Sequence, residues 1–246
     1  MKKILKSLLG SLGYEVRNKR YKDIFTIRQT MEESMEQIKS TGFYPDLVID
    51  IGAADGTPPL QTCFSKTEFF WVEPLAEFKD SLEALKRKYK GDYIIAAMGK
   101  QEGEMSIQVK SDKVGSSLLL NTGPGGHPPE ARKINVIRLR DLAQEKFLNF
   151  QNIILKVDVQ GYELEVLEGA GDFLQSIEVI ILEVSFFKFL KDCPDFYDVV
   201  YYMKRKGFVV YDIIGGINRP LDYALGQKDL VFVKENGRFR QSHNWE

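Results

Sequence analysis

Val48-Ile49-Asp50-Ile51-Gly52-Ala53-Ala54-Asp55-Gly56 is the stretch on which the reading of this chain turns. Asp46 to Ile51 is a near-continuous apolar run, as expected of a strand buried on both faces of a parallel sheet. It closes on a glycine turn, where missing side chains permit a tight reversal and let a ligand approach the backbone. A dinucleotide fingerprint, G-x-G-x-x-G, needs glycine at 54 and 57, where this chain has Ala54 and Thr57. No Walker lysine follows, which removes a P-loop. A carboxylate-rich glycine turn without a pyrophosphate cradle suits a ligand bearing amino and hydroxyl groups.

The next apolar run, Glu68-Phe69-Phe70-Trp71-Val72-Glu73, stops at Pro74, which fixes the turn. An acid at the tip of a second strand accepts hydrogen bonds from both hydroxyls of a ribose. Acid, glycine turn and acid together describe a nucleoside site, and without phosphate-binding glycines they point to S-adenosylmethionine. Asp50 and the turn from Gly52 and Ala53 to Gly56 would face the amino-acid end, Glu73 and Pro74 the ribose, and Ala97-Met98 the adenine. The bland alternatives are a plain strand-to-helix turn, and Glu73 as a helix-start charge.

Short apolar runs alternate with amphipathic stretches through the rest of the chain. Helices are expected over Leu75 to Lys90 and Glu163 to Leu174, and strands over Asp92 to Ala97, Met105 to Lys110 and Ile134 to Leu139. Asn152 to Val159, Val179 to Val184, Phe208 to Ile213 and Leu230 to Lys234 read as further strands. Ser111 to Arg132, rich in Gly and Pro, reads as a long loop of the kind that often carries function. The alternation predicts an α/β fold: a mainly parallel sheet with helices on both faces, which binds ligands beyond the carboxyl ends of its strands. Residues 1 to about 45 read as an N-terminal helical extension, and 46–246 as the domain proper.

The glycine turn, Val72-Glu73-Pro74 and the long run Leu155-Lys156-Val157-Asp158-Val159-Gln160-Gly161-Tyr162-Glu163-Leu164-Glu165-Val166-Leu167-Glu168-Gly169-Ala170 together resemble the FkbM family of methyltransferases. The resemblance extends over about residues 45 to 235 and includes the closing Lys228-Asp229-Leu230-Val231-Phe232-Val233. It implies a class I, Rossmann-like methyltransferase fold with an antiparallel closing strand, and O-methylation of a sugar or natural-product hydroxyl. Ala54-Asp55 departs from the alanine–asparagine pair common in that family.

Transfer to an alcohol needs the hydroxyl aligned and its proton taken by a nearby base. Lys156, Asp158 and Gln160 share one strand face, which puts Asp158 at the carboxyl end as first choice for that base. Glu163, in the first turn of the next helix, suits either the macrodipole or a substrate contact. Glu183 ends the next strand and is placed to face Asp158. The pair is either a divalent-cation site or a set of acceptors for substrate hydroxyls, and without histidine-rich spacing the metal-free reading is preferred. His127 is either a base carried on the Gly/Pro-rich loop or a solvated loop histidine.

The 246 residues carry 34 basic and 35 acidic side chains, a balance unlike the basic excess of a nucleic-acid binder. Cys63 and Cys193 are too few and too distant for a disulfide framework, so a reducing, cytoplasmic compartment is expected. No run of eighteen apolar residues spans a membrane. Ile4, Leu5, Leu8, Leu9 and Leu12 recur at helical spacing among lysines and arginines. They form either a terminal helix docked on the domain or a basic amphipathic helix touching an anionic membrane surface. Two other functions compete with methyl transfer: a nicotinamide-dependent oxidoreductase on the same sheet, and a non-catalytic nucleoside-binding protein.

Overall fold

The structure, a computed structural model, describes residues 27–120 and 130–245; the basic leucine-bearing segment and His127 lie outside them. Helix α1 (Met31–Ser40) begins at Thr30, whose side chain and that of Glu33 form a reciprocal capping box. The helical reading of residues 1 to 45 is corrected within the described part: residues 27–29 are not helical, and α1 begins only at the Thr30 cap.

Strands β1 (Leu47–Ile51), β2 (Glu68–Glu73) and β3 (Gly91–Ile95) alternate with helices α2 (Pro58–Cys63) and α3 (Lys79–Lys88). Then come β4 (Ala97–Met98), β5 (Gly103–Val109), β6 (Glu130–Ile137), α4 (Leu139–Lys146), β7 (Ile153–Val157) and α5 (Glu163–Ala170). The chain closes with β8 (Ile177–Ser185), α6 (Phe196–Arg205), β9 (Phe208–Asn218) and β10 (Leu225–Lys234). The main sheet has seven strands in the order β3-β2-β1-β7-β8-β10-β9. Only β10 runs antiparallel, against both β8 and β9. This is the mainly parallel class I methyltransferase arrangement with its antiparallel closing strand, and the strand order reverses between β1 and β7.

Two apolar clusters cover the two faces, as alternation along buried strands requires. Leu47, Ile49, Ile51, Leu155 and Leu182 pack under α4, α5 and α6. Val48, Trp71, Ile154, Ile181 and Val231 pack with Met35 and Ile38 of α1, Leu60 of α2 and Leu82 of α3. Full burial of each large side chain contributes about 1.5–3 kcal/mol, so these faces dominate the stability.

Several element boundaries differ from the sequence reading. The strand expected over Asp92 to Ala97 is two: β3 joins the main sheet, whereas Ala97-Met98 pairs with β6 in a separate three-stranded sheet, β4-β6-β5. The strand expected to reach Leu139 stops at Ile137, because Leu139, Leu142 and Ala143 bury one face of α4. Leu75 to Lys90 divides into a 3-10 turn over Ala76–Phe78 and then α3. The helix expected to reach Leu174 ends at Ala170, where Gly171 turns to φ +53 and a 3-10 segment follows. Among the described residues no helix is long and apolar enough to cross a membrane.

Candidate active site

The site follows from register. Ile51 stands opposite Val72 on one side and Val157 on the other, Val157 opposite Leu182, and Glu183 opposite Asp229. One residue beyond the first three pairs lie Glu73, Gly52, Asp158 and Glu183, and the last pair adds Asp229, so that the five form a single row across five strands. Trp71, Ile181 and Val231, two residues away on their strands, face the α1–α3 side. The four carboxylates therefore project from that same face, at the end where the parallel strands finish. Gly52 is the gap in the row. It has φ +76, and a Cβ there would overlap the Asp158 carbonyl oxygen, so only glycine lets the ends of β1 and β7 meet.

On one side of Asp158 opens a cleft. Gly52, Glu73, Pro74, Ala97, Met98 and Asp158 line it, together with Phe78, Ile107 and the Lys113–Leu118 loop. Glu73 is buried, and its two oxygens accept from the backbone N–H groups of Ala54 and Leu75, each at 3.0 Å. Burial raises its pKa, against those two bonds. The sequence-nominated Asp50, Ala53 and Gly56 do not reach the cleft wall. Ala53 packs in the α1–α3 cluster, and Gly56 stands against Gln61 and Leu85. Asp50 lies fully buried one row beneath, its oxygens without a hydrogen-bond partner among the described residues and Oδ1 3.5 Å from Lys156 Nζ.

Lys156 Nζ also donates to Asp158 Oδ2 at 3.3 Å. Burial pushes this lysine down, but the carboxylates of Asp158, Asp50 and Asp229 outweigh it and hold the ammonium above its ordinary range. On the far side, Gln160 Nε2 donates to Asp158 Oδ1 at 3.0 Å and to Glu183 Oε2 at 2.7 Å. Gln227 Nε2 donates to the same Glu183 oxygen at 2.7 Å. Burial, then repulsion from Asp158, Glu163 and Asp229, pushes Glu183 up to about 8. Burial and Asp158 push Asp229 up to about 6.

The turn after β7 is wound tightly. Gln160 and Gly161 both take positive φ, +55 and +95, and the buried Glu163 carboxylate accepts from Val159 N and Gly161 N at 3.2 and 3.0 Å. Glu163 thus faces the turn that carries Asp158, and burial pushes its carboxyl up to about 7 despite those bonds. Ser117 Oγ donates to the Gln160 carbonyl at 2.7 Å and pins the 111–120 segment over the same turn. Among the described residues no group of three or more His, Cys, Asp or Glu side chains is arranged to hold a metal ion.

Lys156, Gln160, Gln227 and Asp229 were not nominated from sequence. The available signal was a polar side chain inside an otherwise apolar strand, as in Ile-Ile-Leu-Lys-Val and Lys-Asp-Leu-Val-Phe-Val.

The model of the methyltransferase FkbM domain matches residues 50–210, which includes the glycine turn, Glu73, Asp158 and Glu183. The chain belongs to the FkbM methyltransferase family. A relative, the hexuronic acid methyltransferase AglP of Haloferax volcanii, is 27% identical over 158 residues, 64% of this chain and 60% of AglP. The chain thus matches less than two thirds of that relative's length. Magnesium protoporphyrin IX methyltransferase of Synechocystis PCC 6803, with S-adenosylmethionine bound, is a structural neighbour at TM-score 0.44 and 13% identity, covering 95% of this chain and 96% of that one. An rRNA methylase of Streptococcus thermophilus aligns at TM-score 0.46 and 10% identity, over 85% of this chain and 98% of the other.

Proposed function

We propose that this FkbM-family chain is an S-adenosylmethionine-dependent O-methyltransferase whose acceptor is a hydroxyl of a saccharide or of a glycosylated or natural-product metabolite. The observation that carries the reading is the row itself: Glu73 at the tip of β2 and Asp158 beyond β7, on either side of Gly52, both lining one cleft. Family membership supports the reaction, and the name of the AglP relative supports a saccharide acceptor.

The residues present fit the cofactor. Glu73 offers a buried carboxylate with lone pairs beyond the two that its backbone donors occupy, as a ribose diol requires. Gly52 brings bare backbone to the cleft, and Ala97, Met98 and Phe78 supply an apolar wall for a flat base. Asp50 supports the turn from beneath through its ion pair with Lys156. Bound S-adenosylmethionine would supply an electrophilic methyl group on a sulfonium.

Asp158 then orients the acceptor hydroxyl and takes its proton. Lys156 donates to one carboxylate oxygen of Asp158 and Gln160 to the other, which fixes the carboxylate's rotation and leaves little reorganisation for the reaction itself. Glu163 holds the turn. The test is transfer of labelled methyl from S-adenosylmethionine to a panel of saccharides and glycosylated metabolites. Product carrying an O-methyl ether supports the proposal; cofactor-dependent methylation only of nitrogen, carbon or RNA would replace it.

A further inference from the structure

The 111–120 segment touches both halves of the site. Lys113, Val114, Ser116, Ser117 and Leu118 form one wall of the cleft that Glu73 and Asp158 also line. The turn is braced on itself: Ser116 N donates to the Lys113 carbonyl at 3.2 Å, Gly115 N to Asp112 Oδ1 at 3.3 Å, and Lys110 N to Ser116 Oγ at 3.1 Å. Gln108 of β5 and Ser117 then exchange backbone hydrogen bonds in both directions, at 2.8 and 3.2 Å. Coupling is carried by braced hydrogen-bonded segments of this kind.

Ser117 is where the segment meets the turn that bears Asp158. Its side chain is buried, donates to the Gln160 carbonyl at 2.7 Å and accepts from Leu119 N at 3.0 Å. Leu119 packs on the next residue of that turn, since a Cβ on Gly161 would stand 3.0 Å from Leu119 Cδ1. Gln160 needs the support. Its φ of +55 is a left-handed conformation that residues with side chains seldom adopt. Its amide is also the group that donates to both Asp158 Oδ1 and Glu183 Oε2. An unbroken chain of contacts therefore runs from the cleft wall through Ser117 and Gln160 to the Asp158 carboxylate.

We infer that Ser117 is a positioning residue for methyl transfer: it makes the aim of Asp158 depend on an occupied cofactor cleft. The inference rests on the cofactor and base readings above and adds the link between them. A molecule in the cleft contacts Lys113, Val114, Ser116 and Leu118, and those contacts raise the cost of opening the Ser117 bond to Gln160. While that bond is closed the left-handed turn persists, and the Gln160 amide keeps the carboxylate in one rotation. The base is thus best aimed when the methyl donor is in place.

Amide hydrogen exchange followed by NMR on the full chain tests this, with S-adenosylhomocysteine at saturation as the probe and no acceptor required. Gly161 N–H, which donates to Glu163, reports on the turn. Ala54 N–H, which donates to Glu73, reports on the cleft away from Ser117. The Gln160 side-chain amide, identified by its loss in Gln160→Ala, reports on Asp158 itself. In the wild-type protein the probe is expected to slow exchange at Gly161 about 10-fold or more and to shift the Gln160 side-chain amide. In Ser117→Ala the slowing at Gly161 falls below about threefold and the shift is lost, while Ala54 is slowed as in the wild type. Ser117→Thr, which keeps the hydroxyl, restores both.

Equal slowing at Gly161 in Ser117→Ala and the wild type overturns the inference, because the cofactor then acts on the turn directly. Binding without slowing at Gly161 in the wild type also overturns it, and leaves the cofactor reading standing. Loss of slowing at Ala54 together with Gly161 in Ser117→Ala, unrescued by Ser117→Thr, overturns it too, because the serine is then only structural. No binding of the probe overturns the cofactor reading and the inference with it.

Discussion

Gly52 packs against Asp158 so closely that a methyl group on Gly52 would occupy the position of the Asp158 carbonyl oxygen. This contact joins the glycine turn after β1 to the turn carrying the proposed base, across the point where strand order reverses. Gly52→Ala must separate the two strand ends and also hold alanine at φ +76. It is expected to cost about 2–4 kcal/mol of stability. Urea denaturation measures this directly, and a loss under about 0.5 kcal/mol would contradict the close approach.

Lys156 is the cation between two acids, 3.5 Å from Asp50 and 3.3 Å from Asp158. Lys156→Met keeps the length of the chain but leaves Asp50 buried and uncompensated. Breaking a buried pair in this way costs about 3–5 kcal/mol. The variant's urea midpoint is expected to drop accordingly, and Lys156→Met, Asp50→Asn together should recover part of the loss. Absence of that recovery would show that the lysine acts elsewhere.

Asp158→Asn keeps the shape of the side chain and removes the proposed base. Affinity for S-adenosylhomocysteine is expected to stay within about threefold, while turnover falls about 10²–10⁴-fold. Single-turnover methyl transfer alongside calorimetry separates the two. Retained turnover would remove Asp158 from proton transfer.

Glu183, Glu163 and Asp229 are held up to about 8, 7 and 6 in the folded protein. The same carboxyls titrate near 4 in an unfolded chain. Between those values the folded state binds more protons, so stability falls as pH rises. The contribution is whole below about pH 4 and is lost as pH climbs through 6 to 8. Thermal midpoints should decline from pH 5 to 8.5, less steeply in Glu183→Gln. An equally steep decline in that variant would assign the effect to other groups.

How much of this was legible beforehand depends on range. β1 and β2 are apolar runs closed by Gly52 and Pro74, so local pattern alone locates Glu73 and the glycine turn. Asp158 was reachable because Lys156, Asp158 and Gln160 alternate with Leu155, Val157 and Val159. The division between Ile95 and Ala97 was not, because only pairing with the distant β6 takes Ala97-Met98 out of the main sheet. Helix α4 was missed for a related reason: Leu139 continues an apolar strand in sequence, while its burial under the sheet makes it the first helical residue. Gln227 and Asp229 join the site only through the antiparallel register of β10 with β8, which no local spacing encodes.

The central claim is that the cleft between Glu73 and Asp158 holds S-adenosylmethionine. Isothermal titration with S-adenosylhomocysteine, with NAD as parallel control, tests it most directly. Micromolar binding of S-adenosylhomocysteine alone is expected, weakened by about 1–3 kcal/mol in Glu73→Ala through loss of a charged hydrogen-bond partner. Binding of NAD instead, or S-adenosylhomocysteine affinity unchanged in Glu73→Ala, would contradict it.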